Sequence, residues 1–386
     1  MFEYDTLTII IAASVIAIAI IGVLVNPFVR GVDTCDDDED TDGVSEKQPL
    51  PPISVLITAH DNREQLKEHL DSFLTQDYPD FQVVVVYEEG ETETEDFLKQ
   101  KATKHSNLYF TFSPDSSRYM SKKKLKITLG VKAAKNEWVL LTEPTCHPDS
   151  DQWLRTMARN CTESTDIIMG YVHYDEDCSS FYHFAHLRKA FYLLRRAQHK
   201  AALATNMPNI VFRKSQFLKN NGFVGSLQFV GGEYNFLANK YSDDTNTIVE
   251  LSPKAWLTEE TPSAREWHSR IMFDYNTRPH LSGNASMTAL RWTDRILPHL
   301  AVITSISAGA YGLLANHLTI AAAGAAALLF MFIVRMAVAH HAMGKFQEDI
   351  AMIKLPFYEW TLVWRSMIGK LRYITSNKAD FTTHKL

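Results

Sequence analysis

ISVLITAHDN, residues 53–62, is an apolar run that stops abruptly at a histidine, an aspartate and an asparagine. A strand buried on both faces shows no polar alternation, so a run of this kind fits a sheet covered by helices on each side. The next stretches repeat the pattern. Residues 63–76 place Leu66, Leu70, Phe73 and Leu74 on one helical face. FQVVVVYEE (81–89) reads as a strand, 92–104 as a helix, and NLYFTF (107–112) as a strand. A basic helix over 121–135 then leads into EWVLLTE (137–143), a fourth strand. Strand–helix alternation with near-continuous apolar strands predicts an α/β fold, a mainly parallel sheet sandwiched by helices. Ligands of such sheets bind at the carboxyl ends of the strands. Those ends are the turns His60-Asp61-Asn62, Glu88-Glu89-Gly90 and Glu143-Pro144-Thr145. All three are polar and largely acidic.

The rest of the chain sets the context. At 386 residues, 46% hydrophobic and 22% charged, it has enough apolar material for a sizeable core, which argues against global disorder. A net charge of -6 gives no general case for nucleic acid as a partner. Residues 36–42 (DDDEDTD) carry six acids in seven positions and read as a solvated linker. Cys35, Cys146, Cys161 and Cys178 show no paired CxxC spacing, so free thiols in a reducing compartment are expected.

Two blocks are apolar enough for a bilayer. Leu7 to Val29 holds no charge, and its 23 residues would extend about 34 Å as a helix, against roughly 30 Å of hydrocarbon. The acidic start MFEYDT is unlike a signal peptide, which favours a retained anchor. The second block, Ile296 to Val334, is about twice one span, with Asn316-His317 near its middle. Two helices, 296–315 and 318–339, are expected as a hairpin, with AAAGAAA (321–327) suiting close packing. Arg291 and Arg295 precede the hairpin, Arg335 and Lys345 follow it, and its turn has no Lys or Arg. Basic residues favour the cytoplasmic side, which puts residues 30–295 and the C-terminal tail in the cytoplasm. The expected organisation is an anchor (1–29), an acidic linker (30–50), an α/β domain (51–290), a transmembrane hairpin (296–339) and a tail (340–386). Within that tail, 354–373 interleaves aromatics with Arg365, Lys370 and Arg372, as an interfacial helix does, although packing on the soluble domain is an equal alternative.

Over residues 50–275 the chain resembles the membrane-anchored family 2 glycosyltransferases of the GT-A fold. The resemblance rests on PPISVLITAHDN, on LDSFLTQDYPDFQVVVVYEEGETETEDFL, and on SKKKLKITLGVKAAKNEWVLLTEPTCHP. It implies nucleotide-sugar binding by Ala59, Asp61, Glu88, Lys124 and Glu143. It implies a catalytic base in GGEYNFLAN (231–239), where Glu233 is kept and Tyr234 stands at the usual aspartate. It places Trp267 and Arg270, within EWHSRIMFDYNTR (266–278), on the acceptor or diphosphate side. A divalent metal, Mg²⁺ or Mn²⁺, goes with this fold, but where the family carries an Asp-x-Asp-like motif this chain has Glu143-Pro144-Thr145. Glu143 alone makes a weak metal ligand, and the site is expected to be weak or absent.

Sugar transfer needs a cation beside the departing diphosphate and a base for the acceptor hydroxyl. Arg118, Lys122, Lys123, Lys124 and Lys126 are the nearest cations in the sequence. Tyr234, with a phenol's reference pKa near 10, is a poor base, and Glu233 is the better one. Two readings stand. One is an inverting transferase of the inner or plasma membrane, using a nucleotide sugar on the cytoplasmic side and a lipid-linked or polysaccharide acceptor. The other is an inactive scaffold or regulatory partner of another membrane enzyme.

Overall fold

The computed structural model describes residues 5–33, 49–60, 62–114, 121–205 and 207–377. Asp61, Arg118, Cys35 and the acidic run 36–42 lie outside the described residues. The chain divides into a helical unit (1–32, 180–192 and 283–368) and an α/β unit (33–179, 193–282 and 369–386).

In chain order the elements begin with α1 (Thr6–Leu24), capped by the Asp5 carboxylate on the Thr8 amide, and the single turn α2 (Pro27–Arg30). The apolar run 7–29 is therefore not one helix. Pro27 has no N–H to continue the ladder, and Asn26 caps the new turn through the Phe28 amide at 3.1 Å. Then come β1 (Ile53–Thr58), α3 (Arg63–Leu74), β2 (Phe81–Glu88), α4 (Thr92–Ala102), β3 (Leu108–Ser113), α5 (Lys122–Ala133), β4 (Trp138–Thr142) and β5 (Cys146–Pro148). The chain continues through α6 (Trp153–Ala158), β6 (Ile167–Gly170), β7 (Val172–Tyr174), α7 (Ser180–His199), β8 (Ile210–Arg213) and α8 (Lys214–Lys219). It closes with α9 (Glu233–Tyr241), β9 (Thr247–Glu250), β10 (Leu257–Glu259), α10 (Ala264–Thr277), α11 (Asn284–Leu314), α12 (Leu318–Lys345) and α13 (Leu355–Thr375).

Seven strands form the main sheet in the order β3-β2-β1-β4-β8-β6-β9. The first four run parallel, as expected, while β8 is antiparallel to both β4 and β6. Every residue of β1 and β4 is buried, which is why their sequences show no alternation. A smaller sheet, β5-β10-β7, joins β10 antiparallel to β5 and parallel to β7. Helix α5 packs closely on β1 because Gly130 has no side chain: a Cβ there would fall 2.1 Å from Leu56 Cδ1.

Among the described residues of the helical unit, three helices, α1, α11 and α12, are long and apolar enough to cross a membrane. Asn316, in the left-handed region at φ 58°, makes the turn between α11 and α12, as its type allows. Helix α11 begins at Asn284, well before the apolar block, because its first turns hold Arg291 and Asp294 buried. Glycines let α11 and α12 approach closely; a Cβ on Gly324 would lie 2.6 Å from the Ser305 carbonyl oxygen.

Candidate active site

The register of the parallel strands aligns their carboxyl ends. Thr58 lies beside Val86 and Ile57 beside Thr142, so the residues that follow emerge on one edge. There His60 Nδ1 is 2.8 Å from Glu88, and Glu143 stands just past β4. Ala59, at the end of β1, is buried and offers its carbonyl rather than a side chain.

Helix α5 brings a run of lysines to this edge. Each residue turns a helix by about 100°, so successive side chains find different partners. Lys122 donates to the Glu88 carboxylate, and Lys123 to that of Glu143. Lys126 Nζ donates to the Ala59 carbonyl at 2.6 Å and lies 3.5 Å from Glu88. Lys124, fully buried, turns to the 226–231 loop, donating to the carbonyls of Ser226 at 2.8 Å and Phe229 at 2.5 Å. Its ammonium also lies 5.0 Å over the Phe236 ring. It thus fixes the loop that precedes α9, and the cleft itself is lined by Lys122 and Lys123.

That loop ends in two glycines with distinct duties. A Cβ on Gly231 would press on Phe273, and Gly232 is left-handed at φ 82° with a Cβ position 2.9 Å from Thr277. The tight turn starts α9 with Glu233 buried and within 3.2 Å of the Ser121 hydroxyl, which donates to it. Tyr234 follows, its hydroxyl buried on the Glu143 side and its ring 5.0 Å from the Lys123 ammonium. Burial, then the charge of Glu143, pushes the Tyr234 phenol well above its usual range, so it stays protonated and is no base.

These groups surround a cavity of about 280 Å³ lined by His60, Ser121, Lys122, Lys123, Glu143, Glu233, Tyr234, Glu259, Arg270 and Asp274, among others. On its α10 side Arg270 is paired with Glu259 and lies 3.5 Å from the Tyr174 hydroxyl. Trp267 supports that corner through an edge contact with Tyr174, the ring centroids 6.1 Å apart. Burial raises the Glu143 carboxyl, but Lys123 and Arg270 more than offset it and hold it below the usual range. Glu88 behaves likewise under Lys122, Lys126 and His60. Both are ionised at neutral pH, and both already hold a lysine.

Of the residues singled out from sequence, Glu143, Glu233, Tyr234 and Arg270 meet in this cavity, and Glu88 borders it through His60 and Lys122. Lys124 and Trp267 support it from behind. Glu259, Ser121 and Asp274 line it without having been singled out. The alternation in Leu257-Thr258-Glu259 is the one available signal for Glu259, and three residues are too few to read.

Among the described residues, two groups of three ligands cluster tightly: His60–Glu88–Glu91 and Glu68–His69–Glu260. Glu143 belongs to neither, and its carboxylate is engaged by Lys123. Hard divalent cations take six or more oxygens, so a single neutralised carboxylate is a poor start.

Over residues 51–271 the chain matches the protein family described as "Glycosyltransferase like family 2". Among solved structures it is similar to the mannosyltransferase PcManGT from Pyrobaculum calidifontis in complex with GDP-Man and Mn²⁺. That likeness has a TM-score of 0.52 at 16% identity, covering 87% of this chain and 97% of that one. A looser likeness, TM-score 0.43 at 15% identity, is to S. aureus TarS 1–349 in complex with UDP-GlcNAc, covering 83% of this chain and 92% of that one. Comparison with curated proteins gave no match.

Proposed function

Since the chain belongs to glycosyltransferase-like family 2 and is a transferase of the GT-A fold, we propose that it moves a sugar from a nucleotide-sugar donor to an acceptor hydroxyl at a membrane. The donor's diphosphate lies against the N-terminus of α5, where Lys122, Lys123 and the first amides of the helix neutralise it. Arg270 faces it from α10. Glu233 takes the proton of the acceptor hydroxyl as the oxygen attacks the anomeric carbon, and the bond from that carbon to the phosphate oxygen breaks. Attack opposite the leaving group inverts the anomeric centre. The nucleoside diphosphate leaves with its charge held by the cations. No step is routed through a metal, because Lys123 occupies the carboxylate that would hold one.

The observation that carries this reading is the meeting of Glu143, Lys123, Glu233 and Arg270 on one cavity at the carboxyl edge of the sheet. GDP-Man in the Pyrobaculum structure supports a nucleotide-sugar donor. The apolar helices support a multi-pass protein of the inner or plasma membrane, with the α/β unit on the cytoplasmic side and a lipid-linked or polysaccharide acceptor. A scaffold for another membrane enzyme is the second reading. It is favoured by the closure of the Glu143–Lys123 pair, which leaves neither group free at rest.

Full-length protein in lipid nanodiscs, given a panel of nucleotide sugars and polyprenyl-phosphate or oligosaccharide acceptors, tests this. Release of nucleoside diphosphate that stops in Glu233→Gln is the expected result. No turnover and no calorimetric binding of any nucleoside diphosphate would replace the enzyme with the scaffold.

A further inference from the structure

Strand β10 has two faces, and only one serves the cavity. Glu259 points to Arg270, so Thr258 and Glu260, one residue to either side, point the other way. Register brings two histidines to that outer face: Thr258 stands opposite His147 on β5 and His173 on β7. His173 is already satisfied, its Nε2 2.7 Å from Asp149, which also accepts from the Thr258 hydroxyl at 2.5 Å. His147 and Glu260 remain, on the side covered by α3. Helix α3 supplies His69, whose Nε2 lies 2.8 Å from Glu260 and whose ring centroid is 4.9 Å from that of His147. It also supplies Glu68. One ligand atom each from Glu68, His69 and Glu260 lie within 4.8 Å of one another.

We propose that Glu68, His69 and Glu260, with His147 swinging in from β5 as the fourth ligand, bind a divalent transition metal of the zinc type, tying α3 to the small sheet on the face opposite the donor cavity. The ligand chemistry selects the ion. Imidazole nitrogens with carboxylate oxygens suit zinc, whereas magnesium and calcium take all-oxygen sets. Bonds of about 2.0–2.2 Å in a tetrahedron place ligand atoms about 3.4 Å apart. The cluster reaches that spacing by side-chain rotation, since Glu68 is exposed and Glu260 half-buried. The His69–Glu260 hydrogen bond holds the pair together without metal. On binding, His69 gives up any proton on Nε2 and coordinates through that atom.

The test uses the full chain, stripped with a chelator and dialysed against buffered micromolar zinc, with bound metal measured by mass spectrometry. One zinc per chain is expected, with a higher unfolding temperature. Cobalt in its place should give the visible absorption of a tetrahedral site. His147→Asn and Glu260→Gln should each weaken zinc binding about tenfold or more, while Glu143→Gln keeps it. Circular dichroism on the two cluster variants without metal checks that they fold. Failure of the parent chain to retain zinc, or equal retention by folded His147→Asn and Glu260→Gln, overturns the site.

Discussion

Lys123 and Arg188 are both cations held against carboxylates, one in the α/β unit and one in the helical unit, and their surroundings differ. Arg188, on α7, donates to Asp294 of α11 at 2.5 Å and to Glu359 of α13 at 2.7 Å. Glu359 also accepts from Arg335 of α12 at 2.7 Å and from Asn26 at 3.1 Å, while Arg335 reaches the Gly22 carbonyl at 2.5 Å. Tyr192 donates to Asp294 at 2.6 Å. Each charge in this network serves several partners, and the adjoining space is about 40 Å³. Lys123 instead pairs with Glu143 at the wall of a cavity seven times larger, which Tyr234 and Glu233 also line. A network of shared charges with little room around it holds helices together. A pair with that much room beside it leaves space for a ligand.

The sharpest break of that contrast is catalytic. Glu233→Gln should lower transfer by about 10²–10⁴-fold, the usual contribution of a general base, with unchanged unfolding; retained activity would move the base elsewhere. Arg188→Met leaves Arg335 as the one arginine shared by Asp294 and Glu359 and should cost about 3–5 kcal/mol, read from denaturant unfolding in detergent. Lys123→Met, by contrast, should lose transfer while keeping most of its stability. If it unfolds as readily as Arg188→Met, the two regions do not differ in kind. Within the helical unit, Gly324→Val pushes a side chain into the Ser305 carbonyl and should cost about 1–3 kcal/mol by the same measurement.

Lys124 gives a smaller, pH-dependent effect. Burial, offset in part by Glu233, lowers its ammonium to about 8, below the unfolded value of about 10.4. Above about pH 8 the folded chain loses that proton while the unfolded chain keeps it, so folding gains stability as pH rises. Relative to Lys124→Met, the parent should gain about 1 kcal/mol between about pH 8 and pH 9 in urea unfolding. The smallest expected effect is on metal dependence. If Lys122, Lys123 and Arg270 carry the diphosphate charge, a chelator should change the transfer rate by less than about twofold. Collapse of activity, restored by Mn²⁺, would put a metal where Lys123 now sits.

The parallel half of the sheet was legible because β1 and β4 are buried throughout and β2 everywhere but its two ends, and burial writes itself as unbroken Val, Ile and Leu. The turns at His60, Glu88 and Glu143 followed from it, since parallel strands of equal phase end together. The division of the lysines was not legible. Whether Lys123 or Lys124 faces the cavity depends on the rotation of α5 about its own axis, which KKKLK does not encode. Hydropathy also misjudged the helix ends. It ran α1 on to Val29 across a proline, and it opened α11 at Ile296 because Arg291 and Asp294 look like surface residues. They are buried, and Asp294 pairs with Arg188, more than a hundred positions earlier.

Position 130 carries no functional group, yet it governs the reach of those that do. With a hydrogen where other residues have carbon, α5 sits close enough to Leu56 for lysines two turns upstream to meet the strand ends. A single methyl there would wedge helix from sheet and swing Lys122 and Lys123 off their carboxylates, disarming the cavity without altering any residue that lines it.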